Sequence, residues 1–207
     1  MRRLVTINEA TEDHRVSNSQ DWRTRRWEDT HQRIYDTALG LFQEHGFDQV
    51  SVGQIAVAAG VSVPTFYAHF QSKEHIVMQL PTAHDFAALL AGQPTDLPMA
   101  ERIRRAMPPW LGTWTPEFRE DALARWRIIA ATPTLRLRAA EFERTSGGVV
   151  ADALPTPPGA ALRPADAIVI NAYMSAYTAA LLAWADSNGE RKIDELVEES
   201  FDVLQPR

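Results

Sequence analysis

From Ser62 to Lys73 the chain carries no acidic residue, while Ser62, Thr65, Tyr67, His69, Gln71, Ser72 and Lys73 all bring hydrogen-bond donors. Phosphate oxygens accept from such groups and are repelled by carboxylates, so this run has the composition of a surface that meets a nucleic-acid backbone. Lys73 stands where a helix would begin, adding a point charge to amides that already face outward. Little else is equipped to break or form bonds. The absence of cysteine excludes a thiolate metal site, an iron–sulfur cluster, a disulfide framework and a cysteine nucleophile. There is no Gly-x-Ser-x-Gly, P-loop or His-Glu-x-x-His, and His69 within the donor-rich run and His75 just after it both lie on the head, where a phosphate contact is a simpler role than catalysis. No enzyme activity, metal or cofactor is expected.

A second group is apolar. Trp110, Trp114, Phe118 and Trp126 cluster within one stretch. Aromatics at helical spacing fill cores, and on a concave surface the same residues line a pocket for a largely apolar molecule. Both readings stand for these four. Phe86, Leu90, Met107, Asn171, Met174 and Thr178 are further candidates for such a lining.

Helices must position both groups, because sustained period-2 alternation and Asn-Gly or Asp-Gly turns are missing. Ile34, Ala38, Leu41, Phe42 and His45 repeat at three and four residues, which predicts a first helix from about Arg25 to His45, capped by Gly46. Ser51 and Gln54 have the spacing of a capping box, and the short helix they open stops at Gly60. Ser62 is the next N-cap, with Pro64 in the first turn and Phe66 and Phe70 facing inward. Two short helices joined by Gly60 and Val61 have the spacing of a helix-turn-helix; a packed helical hairpin with no nucleic-acid role has it too. Ser72 should start a longer helix towards Leu90. Further helices are expected at about 99–110, 116–131, 135–153, 164–186 and 193–204, separated by proline and glycine. The expected fold is all-α: a flexible arm over 1–22, a three-helix head over 23–71, and a helical body over 72–207 that binds a small molecule and dimerises.

The chain has 207 residues, 45% of them hydrophobic, which is enough for a real core. Its 21 Lys and Arg against 27 Asp and Glu leave a net charge of -6, a balance that ordinarily argues against nucleic acid. The first 75 residues are themselves slightly acidic, so phosphate affinity has to come from the local face around Ser62 to Lys73. Arg2 and Arg3 are not followed by the apolar run of a signal peptide. The stretch 165–185 is long enough to span a bilayer, but Asp166, Asn171, Ser175 and Thr178 interrupt it, so a buried bundle helix and a cytoplasmic location are expected, with no membrane partner.

The segment from Ile34 to Lys73 resembles the tetracycline-repressor (TetR) family of transcriptional regulators along its whole length. The matching text is Glu44-His45-Gly46-Phe47, Ile55-Ala56, Ala59-Gly60-Val61-Ser62, Thr65-Phe66-Tyr67, His69-Phe70 and Ser72-Lys73-Glu74. The resemblance implies that Ser62, Val63 and Pro64 face base edges of a double-stranded DNA operator. Thr65, Tyr67, His69 and Lys73 would then meet the backbone, with Ser51 a further phosphate candidate. Val63 and Pro64 depart from the family pattern by offering no side-chain hydrogen bond, which leaves apolar contact with thymine methyl groups. Arg23, Arg25 and Arg26 are candidates for minor-groove contacts, or else a solvated helix start. The resemblance also implies an effector pocket and a homodimer. Reading two successive major grooves requires paired heads about 34 to 36 Å apart. Tyr173, Ala176, Ala180, Trp184, Ile193, Leu196, Val197 and Val203 are the interface candidates, with intrachain core as the other reading of each. Residues 127–141 look like relatives with an acyl-CoA-like effector domain, where Arg125, Arg136 and Arg138 would meet phosphates or simply be solvated. The leading expectation is a ligand-released repressor; the alternative is a helical ligand-binding module without DNA binding.

Overall fold

The computed structural model describes residues 9–78, 83–154 and 162–205. Ten α-helices and one 3-10 turn follow in the order α1 Glu9–His45, the turn Phe47–Gln49, α2 Val52–Ala58, α3 Val63–His69, α4 Lys73–Val77, α5 Ala83–Ala91, α6 Met99–Gly112, α7 Pro116–Ala131, α8 Pro133–Ala153, α9 Pro164–Asp186 and α10 Ile193–Asp202. Among the described residues there is no strand.

The head forms because short helices are closed at both ends. Ser51 and Gln54 satisfy each other: the Gln54 amide donates to Ser51 Oγ at 3.3 Å and the Ser51 amide donates to Gln54 Oε1 at 2.8 Å. At the other end of α2, Gly60 at φ +65° lets its own amide reach Val57 O and the Val61 amide reach Ala56 O, a two-bond closure that a Cβ would strain. Ser62 Oγ then accepts the Thr65 amide and starts α3. Ile34, Phe42, Val50, Ile55, Phe66, Phe70 and Ile76 are buried between these helices. Packing therefore holds α2 and α3, which are too short to persist alone, at a fixed angle.

Two boundaries differ from expectation. The first helix begins at Glu9, well before Arg25, since the intervening stretch contains neither proline nor glycine to stop it. The expected arm thus lies partly in α1, and residues 1–8 fall outside the described residues. The helix begun at Ser72 ends at Val77, with a separate α5 from Ala83; Pro81, between them in sequence, offers no amide to a continuous helix.

In the body, α9 packs against α6, α7, α8 and α10. It is long and apolar enough by length and composition to cross a membrane, yet Ile170, Tyr173, Met174, Ala180, Leu181 and Trp184 face helices of the same chain. That corrects most of the expected dimer interface. Tyr173, Ala180, Trp184, Ile193, Leu196 and Val197 are intrachain core, because α9 and α10 pack on each other and α9 packs also on α6, α7 and α8; Ala176 is half-buried and Val203 is exposed.

Head and body meet where α1 and α4 pack on α7. Tyr35 of α1 donates its hydroxyl to Asp121 Oδ1 at 2.5 Å, and the other Asp121 oxygen accepts from Arg125 Nε at 2.9 Å. Arg125 is nearly inaccessible to solvent. Burial is the main cause pushing the Tyr35 hydroxyl above its ordinary pKa, with the neighbouring Arg125 opposing it and Asp121 reinforcing it.

Candidate nucleic-acid interface and body cavity

The first turn and outer face of α3 carry the expected contact residues together. Ser62, Val63, Pro64 and Tyr67 are exposed, and Thr65 is half-exposed. Val63 keeps 41% of its surface and Tyr67 53%, large values for apolar and aromatic residues with a buried face available beside them. The Ser62 and Thr65 hydroxyls bond each other at 2.7 Å, which leaves both oxygens with capacity outward. Ser51 is exposed at the start of α2 with its hydroxyl engaged in the capping box.

Two expected phosphate ligands are placed differently. Lys73 turns inward: Nζ donates to Phe47 O at 2.8 Å and Val50 O at 2.9 Å, and lies 4.2 Å from the centre of the Phe47 ring. Both carbonyls belong to the link between α1 and α2, where Phe47 O also accepts the Val50 amide at 3.3 Å, and the ammonium ties that link to α4 rather than standing free for phosphate. His69 stacks on Trp27 with centroids 4.7 Å apart, beside His31, which in turn stacks on Phe70 at 4.2 Å. Burial lowers the pKa of both histidines, with His69 adding to the effect on His31. Neutral rings holding α3 against α1 describe the pair better than a cationic phosphate clamp.

Beside the start of α3 lies a groove that takes in Arg23 and Arg26, expected either as minor-groove contacts or as a solvated helix start. Trp22, Arg23, Arg26, Trp27 and Arg33 of α1 line it together with Gly60, Ser62 and Thr65. Arg33 Nε donates to Ala59 O and so pins α1 to the end of α2. A continuous helix places the arginines; the sequence signal was the unbroken helical composition before Arg25.

The body holds a cavity of ≈ 550 Å³, open mouth included, between α5, α6, α8 and α9. Phe86 comes from α5, Met107 and Trp110 from α6, Glu143, Ser146 and Val150 from α8, and Met174, Tyr177, Thr178 and Leu181 from α9. Trp110 Nε1 donates to the Tyr177 hydroxyl at 3.3 Å, fixing one wall. Of the expected lining, Phe86, Met107, Trp110, Met174 and Thr178 are there. Leu90, Trp114 and Trp126 are core, fully enclosed by neighbouring helices. Phe118 packs edge-on against Trp114, and Asn171 is exposed with its amide on Ala167 O. Tyr177 and Leu181 were missed although they stand three and seven residues after Met174, on one helical face. Glu143, Ser146 and Val150 repeat at the same spacing on α8, but nothing in sequence says which face of that helix meets α9.

Among proteins of known structure, the chain is similar to an assigned TetR-family transcriptional regulator from Mesorhizobium loti MAFF303099, at 20% identity over 86% of this chain and 96% of that one, with a TM-score of 0.47. Over 53 residues it is 40% identical to the HTH-type transcriptional regulator AcrR of Shigella flexneri, a match that spans 26% of this chain and 25% of AcrR. Residues 34–80 match the tetR family of bacterial regulatory proteins. Over 146 residues the chain is 30% identical to the proposed mycofactocin biosynthesis transcriptional regulator MftR of Mycobacterium tuberculosis, covering 63% of this chain and 73% of MftR. The chain belongs to the tetR family.

The head of this tetR-family chain is accordingly a helix-turn-helix DNA-binding unit, with α3 as its second helix. Its body departs from the acyl-CoA expectation in one respect. Arg125 is buried against Asp121, and Arg136 is bonded to Ala130 O and to Asp186 at 2.9 Å. Arg138 lines a different cleft, with Glu74, His75 and Glu141. None of the three borders the cavity between α5, α6, α8 and α9.

Proposed function

We propose that the chain is a homodimeric repressor that leaves its operator when a small, largely apolar molecule fills the body cavity, and that it works in the cytoplasm, where bacterial DNA is read. The observation that carries this reading is the short path from cavity to head. The cavity walls α8 and α9 both pack on α7, and α7 holds Asp121 and Arg125 against Tyr35 of α1. A ligand that moves α8 or α9 therefore shifts the helix on which the head rests. Coupling is reciprocal: ligand and operator weaken each other by the same factor.

The proposed partner surface is the outer face of α9. Ile168, Ser175 and Ala179 are exposed and Ala172 and Ala183 half-exposed, at spacings that put them on one stripe opposite the buried residues. Small side chains there allow a second copy to approach closely.

Selection of binding sites from random duplex DNA should yield an inverted repeat. Gel-shift titration with a ligand found by tryptophan quenching and thermal shift should then show release. A ligand that saturates the protein without changing operator affinity would refute induction, and failure to select any duplex would favour a ligand-binding module without DNA binding.

A further inference from the structure

Glu143 is half-buried on the cavity wall, and among the described residues no cation or hydrogen-bond donor engages its carboxylate. Three other carboxylates of the body are paired, Asp121 with Arg125, Asp166 with Arg163 and Asp186 with Arg136; Glu143 differs in lining the cavity. A carboxylate facing an apolar space loses solvation whenever that space fills, unless what fills it brings a positive charge. The rest of the wall suits such a charge. Phe86, Trp110 and Tyr177 line it with aromatic side chains, a type whose electron-rich faces attract ammonium groups, and the Tyr177 hydroxyl accepts from Trp110 Nε1. Ser146, one helical turn from Glu143, offers a hydroxyl beside it.

We infer that the cavity takes a lipophilic cation, an apolar body bearing one quaternary or protonated amine, with Glu143 as its counter-ion. A neutral apolar molecule of the same shape would cover Glu143 without compensating it. An anion would meet the carboxylate directly, and the arginines that would offset this are committed elsewhere. Selectivity thus comes from rejecting the wrong charge as much as from attracting the right one. The inference rests on the cavity being the effector site.

The test uses the full chain and three probes on one aryl body: (4-tert-butylbenzyl)trimethylammonium, its neutral neopentyl isostere, and 4-tert-butylphenylacetate as the anion. Affinity is read by tryptophan quenching and by calorimetry. The expected result is that the cation binds about tenfold more tightly than the neutral analogue and the carboxylate more weakly than both. E143Q should bring cation and neutral affinities together, with the neutral analogue reporting that the cavity is intact. Equal affinity of cation and neutral analogue for the unaltered chain overturns the inference while leaving the cavity as a ligand site. If none of the three binds, and filling the cavity through Ser146→Trp leaves the operator complex responsive to the ligand identified by screening, the cavity reading itself fails.

Discussion

At the residue scale, chemical type and orientation came apart at Lys73. Its position in a donor-rich run pointed to phosphate, yet its ammonium is held by two backbone carbonyls and an aromatic ring. Replacing it by methionine keeps much of the length but removes the ammonium donor from both carbonyls, leaving Phe47 O with the Val50 amide alone. A loss of about 1–3 kcal/mol in urea unfolding is expected, with operator binding falling as the head loosens. Tyr67→Ala should do the opposite: stability within about 0.5 kcal/mol of the parent, because the side chain is exposed, and weaker operator binding by gel shift. If both variants lose affinity without losing stability, Lys73 is a direct DNA ligand after all. Gly60 was legible in the sequence for a firmer reason: its positive φ is what the two-bond closure of α2 requires, and few other residues supply it.

At the scale of elements, the contacts between helices make the testable claims. His31 and His69 join α1 to α3, and both have lowered pKa values from burial. The unfolded chain therefore binds protons more readily, and the stability gained from neutral, stacked rings is present in full above about pH 6.5 and declines as pH falls below it. Thermal unfolding between pH 5 and 7.5 should show that decline, and His31→Phe should flatten it. An unchanged slope in the variant would assign the effect to other groups. Tyr35, Asp121 and Arg125 join head to body. Tyr35→Phe removes a half-buried hydroxyl bond and should cost about 1 kcal/mol while reducing the ligand's effect on operator affinity. Full inducibility in a stably folded Tyr35→Phe chain would show that the signal travels elsewhere.

For the whole molecule, the acidic balance and the exposed stripe of α9 decide what can be measured. With Lys73 turned inward and net charge -6, few Lys or Arg remain to meet phosphate, chiefly Arg23 and Arg26 beside α3. The operator complex should therefore have a shallow salt dependence; a steep logarithmic slope would mean many more cationic contacts than the head displays. Ala179→Arg places a charge on the exposed α9 stripe without touching the core. Light scattering should then report a monomer where the parent is a dimer, with operator affinity lost because one head reads only one groove. A dimer that survives this change would place the interface on another face.

What the sequence alone determined was local. Helix period, capping residues and Gly60 are properties of neighbours along the chain, so the all-α fold, the short helices of the head and the boundaries of α7 and α9 could be read directly. The family was legible there as well, because a helix-turn-helix fixes its small, glycine and aromatic residues at set spacings. Only the tertiary structure decided which face of each long helix turns inward. It sent Trp114 and Trp126 to the core and Trp110 to the cavity, buried Tyr173 and Leu196 inside one chain, and turned Lys73 away from solvent. Helical spacing says which residues share a face; what that face meets is settled by packing between segments distant in sequence.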